Sequence, residues 1–385
     1  MSISNLVARI VFGSLFFSFV LPPQPAPAQT QKWAGRYEEK KRQTNDIAVS
    51  IVVSGLTCTC ARFAEDIRNV VNDLRPDGLR VLPVLGVGGL QNLNDVLFLK
   101  NIDMGIVDED NLALLKKRDP QLYAGIDQSI QYITRLYNSE FHVLARNEIK
   151  SFDDLRGKKV NFNLKDSQTE VSADIIFNML GIQVQRSNYD NDEAISRVKK
   201  GDLAAHVILS GAPQAALVKL GKADGVHFLP LDEQSLPGHE VSPILGKYLP
   251  TELTHEQYPA LIPQGTTIPT VGNRALLVTY GWQQGSARYN RVAKFVREFF
   301  SKIDEFHDGA RHPKWSEVAL TAEIPGWTRF KPAADWVAEH RVAAVKPAFD
   351  RFIESRKELG DRDREALFQD FQRYLRSQLT GQSSR

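Results

Sequence analysis

Three short turns carry the residue types best suited to holding a small anion. They read Ser-Gly-Leu-Thr at residues 54–57, Gly-Val-Gly-Gly at 86–89 and Asp-Ser-Gln-Thr at 166–169, each between a predicted strand and a predicted helix. The first turn of a helix has unpaired backbone N–H groups and lies at the positive end of the helix dipole, so it favours an anion such as a carboxylate. Every α/β protein has such turns, and Ser167 could do no more than cap its helix. We therefore base the prediction of a shared binding cleft on the three turns together.

The familiar catalytic and nucleotide-binding motifs do not occur in the sequence. The glycines at residues 86–88 resemble the start of a dinucleotide fingerprint, but Gln91 stands where the third glycine belongs. There is no Walker sequence, no His-Glu-x-x-His and no Gly-x-Ser-x-Gly. The eight histidines are scattered, and His142 in a predicted strand is expected to be a core or hinge residue. We therefore expect no enzyme activity, no cofactor and no metal.

Three consecutive acidic residues, Asp108, Glu109 and Asp110, follow a predicted strand. They are compatible with a catalytic carboxylate pair, with a cation site, or with a solvated loop that caps a helix. The sequence favours the solvated loop, although one of the three carboxylates could reach the cleft.

The two cysteines of the chain, Cys58 and Cys60, flank Thr59 just after the first turn. This spacing is too close for an unstrained disulfide of ordinary geometry, and two ligands at Cys-x-Cys spacing do not make a zinc site. We therefore expect two small thiols, buried or half exposed. The alternative is a strained redox-active bridge, which an oxidising exported compartment would favour.

The N-terminus has the three parts of a secretory signal peptide. Arg9 precedes an apolar run over residues 10–21, and a proline-rich stretch then ends in Ala-Pro-Ala at residues 26–28. The run is short for about 30 Å of hydrocarbon, which argues against a membrane anchor, and no later segment is apolar for long enough. We therefore predict export to the periplasm, cleavage after Ala28 and a mature protein that is not inserted in the membrane.

Length and composition fit a soluble globular protein with more than one lobe. The chain has 385 residues, of which 42% are hydrophobic and 24% are charged. The formal net charge of +2 gives no support to nucleic-acid binding, which usually needs a strongly basic face. A near-neutral chain can still bind a small anion, because one ligand needs only a local field.

Strands and helices are predicted to alternate in two series, which indicates two α/β lobes. The first series has strands over residues 47–53, 79–85 and 102–107. The second has strands over 141–145, 158–162 and 204–209, and a helix that opens at the capping box of residues 167–170. Between Pro230 and Pro269 we predict little regular structure, and after it a strand over 275–279 and a helix over 289–300.

Several motifs occur in an order that a known family shares. They are Gly-Gly-Leu-Gln-Asn-Leu at 88–93, Ile-Asp-Met-Gly-Ile-Val at 102–107, Leu-Tyr at 136–137, Ile-Lys-Ser-Phe-Asp-Asp-Leu-Arg-Gly-Lys-Lys-Val at 149–160, Gly-Ala-Pro at 211–213 and Ile-Pro-Thr-Val-Gly at 268–272. Over residues 47–300 the chain thereby resembles the TAXI group of periplasmic solute receptors, which serve tripartite ATP-independent periplasmic (TRAP) transporters. The resemblance implies a hinged two-lobe fold, capture of small organic acids such as glutamate-like compounds, and delivery to a membrane permease.

The chain departs from that family in two loops at the expected ligand site. The family's first loop is glycine-rich, whereas residues 54–60 read Ser-Gly-Leu-Thr-Cys-Thr-Cys, and its Gly-Ser-Gly-Thr loop is Asp-Ser-Gln-Thr at residues 166–169. Leu56 and Gln168 add bulk where glycine left room, and Asp166 opposes an anion unless it points away. The identity of the ligand therefore stays open.

These observations predict an α/β protein with a two-lobed, hinged periplasmic-binding-protein fold that is similar to type II, and a C-terminal helical extension. The expected parts are a signal peptide (1–28), a polar lead-in (29–46), lobe I (47–140 plus 270–330), lobe II (141–269) and the helical extension (331–385). The expected ligand contacts are Ser54, Thr57, Gly88, Gly89, Asn92, Tyr137, Ser167, Gln168, Thr169 and Ala212.

The expected function is that of a periplasmic receptor for an amino acid or organic acid, which it passes to a TRAP-type permease. One alternative is a receptor-like periplasmic scaffold or sensor that has lost transport, motivated by the altered loops and the long tail. Another is an exported hydrolase that uses Asp108, Asp110 or His142, which would need convergent acid and base groups. The expected partners are the small ligand and the permease subunits, and no nucleic acid.

Overall fold

The structure, a computed structural model, describes residues 28–73, 75, 78–340 and 367–369. The predicted signal peptide lies outside the described residues except for Ala28, and so does most of the predicted C-terminal extension. Within that extension, residues 331–340 and 367–369 are helical. None of the helices in the described part of the chain has both the length and the apolar character that a membrane crossing requires.

The predicted polar lead-in is helical. Helix α1 spans Ala28–Asp46, and its side chains from Lys32 onward are exposed. Its central run of glutamate, lysine and arginine consists of good helix formers. Oppositely charged side chains three residues apart meet on its surface, with Lys41 Nζ 3.7 Å from a carboxylate oxygen of Glu38.

Lobe I begins with three parallel strands. β1 (Ala48–Val53) pairs with β2 (Arg80–Leu85) on one side and with β3 (Met104–Asp108) on the other. The crossovers that parallel pairing requires are α2 (Thr59–Val71) and α3 (Gly89–Phe98). Two short helices follow, α4 (Asn111–Arg118) and α5 (Ile126–Ser129).

Alternation along β1 places the helices of lobe I on opposite faces of the sheet. Val49, Ile51 and Val53 pack in the cluster that contains the apolar face of α2, whereas Val52 packs with Leu93 of α3. Successive strand residues point to opposite faces, so both faces of β1 are buried. Helix α9 (Ala287–Ser301) forms where the sequence predicts a helix, and its apolar residues pack in the same cluster as those of α2.

Two long antiparallel strands join the halves of the sheet. β4 spans Ile130–Arg146 and β10 spans Thr267–Tyr280. β10 pairs with β3 through its last residues and with β9 (Leu249–Thr254) through its first, while the second half of β4 pairs with β7 (Ala205–Ser210) and β8 (Val226–Phe228). The strand order is β2-β1-β3-β10-β4-β7-β5-β6, with β8 against β4 and β9 against β10.

Lobe II repeats the alternation of strands and helices on the other half of the sheet. Its elements are β5 (Lys159–Asn161), α6 (Gln168–Met179), β6 (Gln185–Ser187), α7 (Asn191–Lys200), β7 and α8 (Ser242–Lys247). Short 3-10 helices span Asp153–Leu155, Lys222–Asp224, Ile303–His307 and Pro313–Glu317. The predicted helix start at Ser167 is confirmed, because Ser167 Oγ accepts from the Glu170 N–H. The reciprocal bond of the predicted capping box is displaced by one residue, since the Glu170 carboxylate accepts from the N–H of Asp166 instead of that of Ser167.

The two-lobed α/β fold predicted from the sequence is confirmed. The prediction of little regular structure between Pro230 and Pro269 is wrong, because α8 and β9 form there. β9 contains Pro250 and alternates weakly between exposed and half-buried residues, so it lacks the apolar strand pattern. Its pairing with β10, rather than its own sequence, holds it in the sheet.

Candidate functional site

A cavity of about 400 Å³ lies between the two lobes. Lobe I lines it with the loops that follow β1 and β2 and with the end of β3. Lobe II lines it with the loop after β5, the end of β7 and the starts of α6 and α7. All of these are carboxyl ends of strands or amino ends of helices, the places where open α/β sheets bind ligands.

Four helices begin at this cavity. The N-cap residues that line it are Cys58 of α2, Gly88 of α3, Ser167 of α6 and Asp190 of α7. The side chains of Ser167 and Asp190 each accept one backbone N–H of their own helix, whereas Gly88 has no side chain with which to cap α3. Four positive dipole ends facing one cavity favour a bound anion.

The turn at Gly88 and Gly89 brings the two lobes into direct contact. Both residues have positive φ angles, 93° and 56°, which favour glycine. A Cβ atom on Gly89 would lie 2.6 Å from the backbone nitrogen of Gln168 at the start of α6. The absence of a side chain at residue 89 therefore lets the starts of α3 and α6 approach each other.

Asp108, the last residue of β3, contributes a carboxyl group to the cavity wall. Its Oδ1 atom is buried and has no hydrogen-bond partner among the described residues. Burial, and next the charges of Asp110 and Glu109, raise the pKa of Asp108 well above its ordinary value. This carboxyl group is therefore ready to interact with a hydrogen-bond donor or a cation placed in the cavity.

Tyr137 lies in β4 and adds a phenol to the same cavity. Its side chain is buried, and burial together with the charges of Asp108, Glu140 and Glu317 raises its pKa well above the ordinary value. The phenol therefore stays neutral and can donate a hydrogen bond to an anionic ligand.

The lobes are held together by direct hydrogen bonds around the cavity. From lobe II, Asn191 Nδ2 donates to Thr57 Oγ1 over 2.8 Å and Gln214 Nε2 donates to the Thr57 carbonyl over 2.7 Å. Thr59 Oγ1 donates to the Gly211 carbonyl over 2.6 Å. Because these hydrogen bonds join the two lobes directly, the cleft is closed in this structure.

Gln168 forms a second bridge between the lobes. Its Nε2 donates to Asp110 Oδ1 over 3.0 Å, and its Oε1 accepts from Asn111 Nδ2. Asp166 does not line the cavity, and its carboxylate lies 3.3 Å from Arg118 of lobe I. The two departures from glycine at residues 166 and 168 therefore supply contacts between lobes, and Asp166 points away from a bound anion.

Eight of the ten predicted ligand contacts line the cavity. These residues are Ser54, Thr57, Gly88, Gly89, Tyr137, Ser167, Gln168 and Thr169. The structure places Thr169 with its hydroxyl oxygen accepting from the Leu209 N–H, so that this acceptor is satisfied inside lobe II.

Asn92 and Ala212 do not line the cavity. Asn92 is fully buried, accepts from the Gly88 N–H over 3.1 Å and donates to the Ile106 carbonyl over 2.9 Å, so it supports the glycine turn. The Ala212 N–H donates to the Glu140 carboxylate over 2.7 Å. The sequence could not distinguish these two residues from the residues that line the cavity, because each of them lies within three residues of one that does.

The expectation of two free thiols is wrong, because Cys58 and Cys60 form a disulfide. One intervening residue leaves their Cα atoms 5.2 Å apart, a separation that disulfides commonly span. Both cysteines line the cavity.

Sequence reasoning missed the start of α7. Asp190, Asn191 and Asp192 all line the cavity, and Asn191 also accepts a hydrogen bond from Asn163 over 2.6 Å. The available signal was the run Asp-Asn-Asp before a predicted helix, which is an N-cap pattern.

His142 is a core residue, as predicted. It is fully buried in β4, its Nδ1 donates to the Glu140 carbonyl over 2.8 Å, and its Nε2 accepts from the Tyr258 hydroxyl over 2.8 Å. Burial lowers its pKa to about 4, so the ring is neutral. Within the described residues, no group of three or more histidine, cysteine or acidic side chains is arranged to hold a metal ion.

Comparison with known proteins identifies one family by sequence. Residues 83–325, more than half of the chain, match the NMT1-like family. A structure described as a periplasmic transporter matches 75% of this chain and 94% of its own at 11% identity, with a TM-score of 0.44.

Two further structures are similarly distant. The alkanesulfonate-binding protein SsuA from Xanthomonas axonopodis pv. citri, bound to MOPS, matches 84% of this chain and 97% of its own at 12% identity, with a TM-score of 0.41. The substrate-binding protein of an amino acid ABC transporter matches 70% of this chain and 96% of its own at 13% identity, with a TM-score of 0.40. These low scores mark distant similarity, so the family membership rests on the sequence match.

Proposed function

This chain belongs to the NMT1-like family, and from that membership and the geometry of the cleft we propose that it is a receptor for a small carboxylate-bearing solute. The observation that carries the proposal is the meeting of four helix N-termini at one cavity between two lobes. Unpaired N–H groups and helix dipoles there stabilise a carboxylate without a fixed cationic side chain.

Asp108 narrows the ligand class. A carboxylate at the helix starts leaves the buried Asp108 carboxyl group facing the rest of the ligand. An ammonium or hydroxyl group on the ligand would satisfy that carboxyl group, and leaving it unpaired is unfavourable. The proposed ligand is therefore an amino acid or a hydroxy acid of a size that about 400 Å³ can hold.

Closure of the lobes is the proposed signal of binding. The hydrogen bonds of Thr57 and Gln168 span the cleft, while β4 and β10 provide the continuous connection between the lobes. Small-angle scattering should therefore show a smaller radius of gyration when the ligand is added to the open protein. An unchanged profile at saturating ligand would count heavily against closure.

We further propose that the receptor works in the periplasm and passes its ligand to a TRAP-type permease without chemical change. The apolar N-terminal segment and the order of the family-like motifs support the location and the partner. The pairing of His142 with Tyr258 inside the core supports binding rather than catalysis, because neither residue lines the cavity. N-terminal sequencing of the exported protein tests the location, since a mature form that begins at Met1 would exclude cleavage.

A thermal-shift screen of the chain from residue 29 onward tests the proposal. Ligands present at about 100 times their Kd stabilise the folded state by about 2.7 kcal/mol. We expect stabilisation by an amino acid or hydroxy acid, and binding weaker by about ten-fold for the same acid without its amino or hydroxyl group, since a charge-assisted hydrogen bond is lost.

The screen also separates the alternatives. If no small acid stabilises the protein, the receptor proposal fails and a scaffold or sensor role takes its place. If the acid binds but is converted, an enzyme function replaces the receptor.

A further inference from the structure

The Cys58–Cys60 disulfide forms part of the wall between two cavities. Cys58 lines both the ligand cavity and a second cavity of about 620 Å³, which Leu56 and Thr57 of the same loop also line. Cys58 is half-buried and Cys60 is buried. A small thiol in the second cavity can therefore reach Cys58 without entering the ligand site.

Both sulfur atoms accept backbone hydrogen bonds. The Cys60 N–H donates to Cys58 Sγ over 3.1 Å, and the Ser54 N–H donates to Cys60 Sγ over 3.2 Å. Such donors stabilise a thiolate, as does the N-terminus of α2, where the pair lies.

Charged side chains of α2 face the second cavity beside the disulfide. Arg62 and Arg68 line it together with Glu65. Arg62 is 3.2 Å from Asp66 and 3.9 Å from Glu65, so the positive charge there is partly compensated. The backbone donors on the two sulfurs are accordingly the main stabilisation that a thiolate would find.

The residues next to the disulfide hold the lobes together. Thr57 accepts hydrogen bonds from Asn191 and Gln214, and Thr59 contacts Ser210 and Gly211 through its N–H and hydroxyl. Cys58 and Cys60 bracket Thr59, so the disulfide fixes the segment from which lobe I reaches lobe II. Breaking the disulfide would therefore affect the segment that makes these contacts between the lobes.

We propose that Cys58–Cys60 is a thiol–disulfide exchange site whose substrate is a dithiol, and that its reduction loosens the closed cleft. A thiolate of the dithiol attacks Cys58 Sγ, the bond to Cys60 Sγ breaks, and Cys60 leaves as a thiolate that takes up a proton. The second thiol of the reductant resolves the mixed disulfide, so the dithiol is oxidised by two electrons and both cysteines become thiols. This proposal goes beyond solute binding and does not depend on the identity of the ligand.

The rate of reduction tests the exchange site. Dithiothreitol is added to the native protein and to the urea-unfolded chain, samples are trapped with N-ethylmaleimide, and labelled cysteines are counted by mass spectrometry. We expect the native disulfide to be reduced at least as fast as the unfolded one, because its leaving thiolate is stabilised. Native reduction slower by about ten-fold or more would show a protected structural bridge and overturn the proposal.

Hydrogen exchange tests the coupling to the cleft. After full reduction, the peptide that contains residues 57–62 should exchange its amides about ten-fold faster, while strand β1 stays protected. A Cys58→Ser/Cys60→Ser variant should exchange like the reduced protein and should not respond to dithiothreitol. Unchanged exchange of the peptide in the fully reduced wild-type protein would refute the coupling, whether or not the serine variant folds.

Discussion

Two buried aspartates bracket strand β3 and differ in what surrounds them. Asp103 precedes the strand. Its Oδ2 accepts from the Ser50 N–H over 3.0 Å, and its Oδ1, which has no hydrogen bond among the described residues, lies 3.8 Å from the Arg291 guanidinium. Asp108 ends the strand, and its buried Oδ1 has neither a hydrogen-bond donor nor a cation among the described residues.

The difference follows from the direction of the strands in the sheet. At the amino end of β3 the chain itself supplies the partners of Asp103, so this residue joins β3 to β1 and to α9. At the carboxyl end, loops and helix starts diverge around a cavity, and Asp108 faces that space. A buried acid that the fold pairs is a structural element, whereas one that the fold leaves unpaired beside a cavity is a candidate ligand contact.

Glu140 is a third buried acid, and it forms an ion pair with a buried lysine. Its carboxylate contacts Lys314 Nζ and accepts from the Ala212 N–H. Burial raises the pKa of Glu140 to about 7, and Lys314 acts against that rise. Glu140 thus belongs with Asp103 rather than with Asp108.

The largest expected effect comes from removing that lysine. Lys314→Met should turn Glu140 into an unpaired buried acid and lower the free energy of unfolding by about 3–5 kcal/mol. Urea unfolding measures the change. Lys331→Met is the matched control, since its ion pair with Asp335 is exposed and should be worth less than about 1 kcal/mol. If the two variants lose the same free energy of unfolding, burial does not determine how much an ion pair contributes to stability.

Gly89→Ala should prevent full closure of the cleft. The new Cβ would meet the Gln168 backbone nitrogen at 2.6 Å, and φ at residue 89 is positive. We expect calorimetry to show a ligand affinity lower by about ten-fold or more. A ten-fold loss of affinity needs the closed state to be destabilised by only about 1.4 kcal/mol. Gly125→Ala adds a methyl group elsewhere in lobe I, away from the cavity lining and where nothing lies within 4 Å, and should bind like the wild type. Tight binding by Gly89→Ala would contradict a closed bound state.

The pH dependence of stability should separate Asp103 from Asp108. Burial raises the pKa of Asp103, and raises that of Asp108 well above the ordinary 3.8. An acid whose pKa is higher in the folded state contributes stability that is fully present below the unfolded pKa and is lost as pH rises through the folded pKa. The contribution of these two groups to stability should therefore fall as pH rises above 3.8, and Asp108→Asn should change the pH dependence of the free energy of unfolding more than Asp103→Asn. Unfolding curves over a pH series check this, and identical slopes for the two variants would refute it.

The parts of the fold that depend on contacts between residues close in the sequence could be predicted from residue spacing. Ser167 and Glu170 sit three residues apart, and that spacing was enough to predict the start of α6. The alternation of strands and helices likewise predicted the two lobes, since each crossover is contained in a short stretch of chain.

Distant partners could not be read from the sequence. Of the three acids at 108–110, Glu109 pairs with Arg274 over 2.7 Å, Asp110 bonds to Gln168 and Asn273, and only Asp108 lines the cavity. These partners lie far along the chain, so an acidic run alone gives no means of telling the three apart. Asn92 was assigned to the ligand for the same reason, although its partners are backbone groups in the core.

Calorimetric titration of Asp108→Asn tests the central claim most directly. The ligand is the amino or hydroxy acid selected by thermal shift, and Asp103→Asn is the matched control at the other end of β3. We predict that Asp108→Asn weakens binding by about ten-fold or more, because an ammonium group of the ligand would favour the ionised form of Asp108 and asparagine cannot supply that charge, while Asp103→Asn stays within about two-fold of the wild type. If Asp108→Asn binds as tightly as the wild type, Asp108 is not a ligand contact and the cavity between the lobes is not the site proposed.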